Sequence, residues 1–546
     1  MKHQHRTILF LVLFFSIARG FSQNAWFDWA VPGGNPSYGE GNIAVKADGS
    51  GGCYVAGDFM GTAAFGIHSV TSSGGLDIFL ARFNGEGEIQ WLHREGGSDN
   101  DYLQSLDISE AGDIYLSGYY YGTTIIGSDV FTSSGSQDIF LACFGDNGNC
   151  NWAVTAGGVM SDYISGLAVD SEQNIWIAGE FYGDIQFGGS QLTSTGLADI
   201  FLAKYSPSGS LLKLVQAGGS SVDAVSSLCA DATGHLLLSG AYFTDFTMGD
   251  TTLTTTDPTA VFLARISNAG ALGWITQLGG NSLDAASFAA ADQYGMAYLA
   301  GNFQDTVHIG SYTFVSGAFN QDVYVAKFTP EGDVVWADQG GGEAGDDVVA
   351  AATDGNGNLY LAGHYMMDIT FGNITLPYTL CCGSLEIYTV RYGASGIPDW
   401  GKQLSGVRAC IRSISTYDNN SLFAGGLFQG SLTYGNDSIQ SNQEYNDYLA
   451  AIRFDPLTGT DEGTLTHTLG LYPNPASGAV NITAGGLETA TTLQVFDHQG
   501  RKLISRKIPS ATNLYRLDIS GLRQGIYPVV LRAADGRVST GKLLVK

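Results

Sequence analysis

Short apolar strings, most of them opened by an acid and carrying a base next to their end, recur along most of this chain. DIFLARF begins at Asp77, DIFLACF at Asp138, DIFLAKY at Asp199, AVFLARI at Ala260, DVYVAKF at Asp322 and EIYTVRY at Glu386; a looser DYLAAIRF begins at Asp447. The steps between them are 61, 61, 61, 62, 64 and 61 residues. An apolar run this short, bounded by turn residues, predicts a buried strand. Other positions keep the same beat. An aromatic follows a glycine-ended apolar run at Phe59, Tyr120, Phe181, Tyr242, Phe303, Tyr365 and Phe428. A tryptophan stands at Trp29, Trp91, Trp152, Trp274, Trp336 and Trp400, with Lys213 on the missing beat.

Each unit reads as four strands. The first is short, as in SGLAVD; an Asp/Gly/Asn-rich turn leads to the second, as in IWIAGEF. A longer connection with a Phe-Gly step leads to the third, DIFLAKY, and a glycine turn leads to the tryptophan strand. No segment shows a 3.6-residue period, so the fold class is all-β. Seven four-stranded units of about 61 residues predict a seven-bladed β-propeller. The chain begins on a tryptophan strand and ends its repeats on a third strand. The N-terminal strand should therefore complete the last blade, a closure that hides both open edges.

Composition narrows the class. Glycine takes 75 of 546 positions, aromatics are 12% and charged residues 14%, which excludes disorder, collagen and a long coiled coil. The formal charge of −27 is unevenly spread. Residues 24–464 hold twelve Lys/Arg against 48 Asp/Glu, whereas residues 465–546 hold ten against four. So acidic a body repels phosphate backbones, which excludes nucleic acid as a partner, and favours cations. Residues 1–23 read as a signal peptide, with Lys2 and Arg6 before the apolar run Ile8 to Ala18. No later run reaches 18 apolar residues, so no transmembrane segment is expected. Seven cysteines make no disulfide framework. Cys143 and Cys150 flank a turn and could bridge it or remain small buried thiols; Cys381 and Cys382 are adjacent.

Two resemblances emerge. The stretch Gly157 to Gly179, GGVMSDYISGLAVDSEQNIWIAG, resembles the bacterial propeller repeat called SBBP, and the likeness extends over residues 24–455. After a polar linker at 456–468, residues 469–546 show alternating apolar residues and Gly-bearing turns, the pattern of a small Ig-like β-sandwich. This segment resembles the C-terminal sorting domain of the type IX secretion system of Bacteroidetes-type bacteria. The matching pieces are Tyr472-Pro473-Asn474-Pro475, the strand and turn Val495 to Gly500, Leu517-Asp518 through Gly525-Ile526-Tyr527, and Lys542 to Lys546. Pro528 and Val529 depart from the pattern. The resemblance implies contact with the type IX machinery, export through the outer membrane, and a protein that is secreted or held at the cell surface.

Candidate chemistry is sparse. None of the nine histidines forms HxxxH or HExxH, and there is neither a GxSxG elbow nor a phosphate-binding loop. Asp101, Asp162, Asp223, Asp284 and Asp346 each fall ten residues after the tryptophan beat. They could ring a channel mouth and hold Ca²⁺, or each could accept hydrogen bonds from its own Gly-Gly loop. Arg82, Lys204, Arg265, Lys327, Arg391 and Arg453 close the third strands; Asp48, Asp170, Asp231, Asp292, Asp354 and Asp418 close the first. Repeated ion pairs are expected between the two sets. The residues that vary on either side of the fixed aromatic are the ligand-binding candidates: Tyr119, Tyr121, Glu180, Tyr182, Phe243, Asn302 and His364. The expected role is non-enzymatic recognition of glycan, peptide or matrix, with no required cofactor. The alternatives are a polysaccharide lyase or hydrolase using a carboxylate pair, and a purely structural surface protein.

Overall fold

A computed structural model describes residues 25–33, 41–454 and most of 470–546, apart from short internal segments. The signal peptide and the 456–468 linker lie outside the described residues. Every described element is a β-strand, and no helix among them is long and apolar enough to cross a membrane. The chain divides into two units, Ala25–Arg453 and a C-terminal unit beginning at Phe454.

The first unit is the seven-bladed propeller. Blade 1 runs Ile43–Ala47, Cys53–Phe59, Asp77–Phe83 and Ile89–Glu95, each strand antiparallel to the next. Blade 2 (Asp101–Ile108 to Cys150–Ala156) and blade 3 (Asp162–Val169 to Leu211–Ala217) repeat the order with longer middle strands. In blade 7 the strand Cys410–Asp418 pairs with Ser421–Phe428, then Asn446–Phe454, and the N-terminal Ala25–Pro32 supplies the fourth strand. The ring is thus closed by its own N-terminus, as the strand count predicts.

The core lies between blades. Tyr54, Ala56, Ile78 and Leu80 of blade 1 pack on Leu103, Ile114, Leu116 and Phe140 of blade 2, and the other seams repeat this. The fixed glycine before the fixed aromatic has a packing cause. A Cβ at Gly179 would sit 1.9 Å from the Tyr163 carbonyl oxygen and 2.9 Å from the Phe201 ring. Its equivalents Gly118 and Gly240 are equally closed in. The Phe-Gly step is a hairpin tip: Gly66, Gly127, Gly188, Gly249, Gly310 and Gly372 all have φ between 53° and 62°.

The seventh repeat corrects the sequence reading. Phe59 faces Asp77 in blade 1, but Phe428 faces Asn446, so Asp447 occupies the place of Ile78. The string DYLAAIRF holds one residue too many for the pattern. Pairing follows the ring that packs: Tyr448 meets Phe428 as Phe79 meets Phe59. Asp447 is left 4% exposed, and burial pushes its carboxyl up to about 7. Ala451, not Arg453, then stands at the position of Arg82.

The C-terminal unit is built from small sheets. Gly470–Ser477 pairs with Ala479–Thr483 and with Val538–Val545. Ala476, Val480, Ile482, Leu493, Val495, Tyr527, Val529 and Leu543 form its own core.

Candidate functional site

The innermost strand of each blade opens at the mouth on which the Gly-Gly loops lie. There the fixed Asp of blades 2, 3 and 4 is tied down by its loop, whereas both oxygens of Asp346 in blade 6 are buried without a hydrogen-bond partner among the described residues. Asp101 Oδ2 accepts from Gly97 N at 2.8 Å, Asp162 from Gly158 N at 2.7 Å and Asp223 from Gly219 N at 2.7 Å. Each is coupled across the seam to the acid opening the third strand of the preceding blade: Asp101 to Asp77, Asp162 to Asp138, Asp223 to Asp199 and Asp346 to Asp322. Burial pushes the carboxyls up, to about 6 for Asp101, 8 for Asp162, 7 for Asp223 and 8 for Asp346. The structure holds them apart in separate blades; Asp284 lies outside the described residues. Among the described residues no three His, Cys, Asp or Glu side chains are grouped as a metal site would need.

The variable position before the fixed aromatic has a consistent role in four blades. Its side chain faces the next blade and takes a backbone N–H from that blade's first strand. Asp58 Oδ1 accepts from Leu103 N at 2.7 Å, and Glu180 Oε2 from Val225 N at 3.1 Å. Asn302 Oδ1 accepts from Val348 N at 3.1 Å, and His364 Nε2 from Ile411 N at 3.2 Å. His364 Nδ1 lies 2.9 Å from Asp347 Oδ1, which orients the ring. Glu180, Asn302 and His364 therefore hold blades together. Asp58 has both oxygens occupied, the second by Asn42 N. Burial pushes Asp58 and Glu180 up to about 7 each.

Blades 2 and 3 differ from the rest. Tyr119 stacks on Tyr102 of the innermost strand, with ring centres 4.8 Å apart. Tyr121 meets Tyr102 edge-on at 6.2 Å and donates its hydroxyl hydrogen bond to Gln137. Tyr119 meets Tyr163 across the blade seam at 6.0 Å, and Tyr163 meets Tyr182 at 6.5 Å. All five rings are half-buried. The structure thus brings Tyr119, Tyr121 and Tyr182 together through Tyr102 and Tyr163, two residues the sequence reading missed. Their signal was the position just after the fixed Asp: Tyr102, Tyr163, Ala224, Ala285 and Asp347 vary there against a constant frame. Phe243 stands on blade 4, 38% exposed.

The opposite rim carries the ion pairs. Lys204 lies 3.0 Å from Asp170, Arg265 2.6 Å from Asp231, Lys327 3.4 Å from Asp292 and Arg82 3.5 Å from Asp48. The other oxygen of each Asp caps its own turn, as Asp170 does for Glu172 N and Asn174 N. Burial works to raise the Asp231 carboxyl, but hydrogen bonds from His235 N, Thr233 and Arg265 outweigh it and hold it below the usual range. Arg391 departs from the set and pairs with Asp399 at 2.8 Å. A cavity of about 820 Å³ opens on this rim, lined by Asp48, Arg82, Trp91, Asp146 and Tyr417. Arg82 in it is already engaged by Asp48 and stacked 5.4 Å over Tyr54. Cys143 and Cys150 are free thiols, as are Cys53, Cys229 and Cys410; Cys381 and Cys382 lie outside the described residues.

In the C-terminal unit Tyr472, Pro473, Asn474 and Pro475 form the strand that bridges its sheets. Gly525 opens the strand that ends the core hairpin, pairing with Val545. Tyr527 is buried and donates to Arg523 O at 2.8 Å. Lys542 pairs opposite Pro528, and Lys546 N donates to Ala476 O at 3.0 Å.

Comparison with known proteins places the tail. Residues 470–546 match the Secretion system C-terminal sorting domain. The protein is therefore a seven-bladed propeller carrying a type IX sorting tail, which directs export through the outer membrane to the surface or the medium. An uncharacterized WD repeat-containing protein of Acanthamoeba polyphaga mimivirus is 23% identical over 330 residues. That match covers 48% of this chain and 24% of the mimivirus protein, so the chain spans about a quarter of that relative's length. Among solved structures, puromycin hydrolase is 10% identical with a TM-score of 0.36, covering 73% of this chain and 60% of its own. Regucalcin, a calcium-binding protein from Agrobacterium tumefaciens, is 10% identical at 0.29, covering 65% and 93%. An extracellular domain from B. thetaiotaomicron is 11% identical at 0.19, covering 94% and 98%.

Proposed function

We propose that the exported propeller, built on a repeat of the SBBP kind, is a non-enzymatic recognition module that binds its ligand at the mouth formed by blades 2 and 3. The carrying observation is the run of five half-buried tyrosines, Tyr121, Tyr102, Tyr119, Tyr163 and Tyr182, in ring contact across two blades. Rigid, amphipathic rings give contact area at little conformational cost, and of the five only Tyr119 packs against a core cluster of the closed frame. Support for a binding role over a catalytic one comes from the acids nearby. Asp58 has both oxygens on backbone N–H groups, Glu180 has one, and Asp101 and Asp162 are tied to their loops. A glycosidase would instead present two carboxyls facing one open site.

The experiment is a screen of the chain from residue 24 against glycan and peptide arrays, run beside a polysaccharide-turnover assay. Binding without product release, lost in Y119A/Y121A/Y182A, is the expected result. Release of new reducing or unsaturated ends would assign the protein to an enzyme class instead.

A further inference from the structure

We infer that the tyrosine mouth takes a cationic side chain, the lysine or arginine of a basic peptide segment on a partner protein. This rests on reading the mouth as a recognition surface, and it adds the chemistry of what is recognised.

The first ground is charge. Across blades 2 and 3, Asp101 to Ala217, thirteen Asp and Glu stand against two bases, Lys204 and Lys213, and Lys204 is engaged by Asp170 on the opposite rim. A mouth within that field concentrates cations and repels anionic polymers. The second is what this fold does with rings elsewhere. On the opposite rim a base lies over each of three aromatics: Arg82 over Tyr54 at 5.4 Å, Lys204 over Trp176 at 5.2 Å and Lys327 over Tyr298 at 4.7 Å. At the mouth, among the described residues, no cation lies over Tyr102, Tyr119, Tyr121, Tyr163 or Tyr182. Their negative ring faces await one from outside.

The third ground is Glu180. Its Oε2 accepts from Val225 N, while Oε1 has no hydrogen-bond partner among the described residues. Glu180 lies directly across the strand pair from Tyr163, and its charge acts on Tyr182. A free carboxylate oxygen beside two tyrosine rings offers an ammonium or guanidinium both a charge-assisted hydrogen bond and π faces. The fourth is room. Where blade 3 presents Tyr163 and Glu180, blade 4 presents Ala224 and Ala241, also paired across strands. The tyrosine wall is thus followed by a step of small side chains, beyond which stands the partly exposed Phe243.

The test is isothermal titration of the chain from residue 24 with the peptide acetyl-GKGKGKG. Parallel arms use its arginine and glutamate counterparts and a chitosan hexamer. The variants are Y163L/Y182L, which leaves net charge unchanged; E180Q; and D146N, which removes one exposed acid on the opposite rim. Binding of the lysine or arginine peptide, at least tenfold weaker in Y163L/Y182L, several-fold weaker in E180Q and unchanged in D146N, is expected. Equal affinity across all variants would mean general attraction to an acidic surface and would overturn the inference, as would no binding. Binding of chitosan but neither basic peptide would reject the peptide source. If a neutral array ligand is lost in Y163L/Y182L while basic peptides never bind, recognition at the mouth stands and the cationic ligand falls. E180Q keeps the acceptor for Val225 N and so covers a folding failure of the double variant.

Discussion

Replacing Glu180 by glutamine should stabilise the propeller at alkaline pH and leave it unchanged in acid. Burial pushes this carboxyl from 4.5 to about 7, against the opposing hydrogen bond from Val225 N. The folded ring therefore holds the Glu180 proton more tightly than the unfolded chain does. Stability from this group is greatest below the unfolded value, declines as pH climbs through about 7, and is flat above that. The displacement of roughly 2.5 units at 1.36 kcal/mol each sets a ceiling of about 3 kcal/mol. Water at the half-open mouth screens the charge and trims this to about 1–2 kcal/mol. The glutamine amide oxygen still accepts from Val225 N, so the seam to blade 4 is kept. Alanine removes that acceptor and should cost about 1–3 kcal/mol at every pH. Urea unfolding followed by tryptophan emission reads the ring alone, because all eight tryptophans precede residue 401. Midpoints at pH 4 and pH 8.5 should agree for wild type and E180Q in acid and separate in base. An E180Q midpoint below wild type at pH 8.5 would show that the carboxylate is stabilised where it stands, and would refute the reasoning. The expected result has a functional corollary: a charge kept at a cost to the fold is in place for something outside it.

Three further outcomes follow from the same geometry. Deleting residues 24–33 bares the strand Asn446–Phe454 along its whole edge; loss of about 4 kcal/mol or more and self-association, seen by gel filtration, are expected, whereas an unchanged monomer would contradict ring closure. Gly179→Ala forces a methyl to within 1.9 Å of a carbonyl oxygen and should cost about 1–3 kcal/mol or more in urea midpoints, where a neutral effect would mean the bulged strand yields freely. Asp162→Asn removes a carboxyl that burial pushes up to about 8; stability from urea unfolding should rise by about 2 kcal/mol at pH 9 and by less at pH 5, which lies between the unfolded and folded values, and a fall at pH 9 would show a bound cation or water network there.

The architecture was readable because the repeat is enforced by packing that sequence displays directly. Third strands are buried on both faces and so read as unbroken apolar runs, and the glycine before each aromatic is fixed by a carbonyl on one side and a ring on the other. The strand count alone gave the closure by Ala25–Pro32. The opposite rim was equally readable, since Asp170, Asp231 and Asp292 pair with Lys204, Arg265 and Lys327 in register. Three things were not readable. Arg391 turns to Asp399 because that acid lies nearer on its own hairpin, a choice that strand position does not encode. Asp447 slipped one place because ring packing of Tyr448 outranks the match of acids. At the mouth, variability marked the right positions but could not separate their uses. Glu180, Asn302 and His364 reach for the next blade's N–H groups, whereas Tyr119, Tyr121 and Tyr182 meet one another through Tyr102 and Tyr163. That distinction depends on which residues lie across a blade seam, and sequence spacing does not report it.

The account as a whole holds that a ring complete in itself is carried outside by a separable tail. Its most direct test is fractionation of the producing cells with the full chain and with a chain lacking residues 465–546. The motifs at Tyr472–Pro475 and Lys542–Lys546 are thereby removed, while the propeller core is left whole. The full chain should appear at the surface or in the medium. The shortened chain should remain inside the outer membrane, with the tryptophan emission and urea midpoint of the folded ring. Normal amounts of the shortened chain outside the cell would contradict the role of the tail, and an unfolded shortened chain would contradict the independence of the ring.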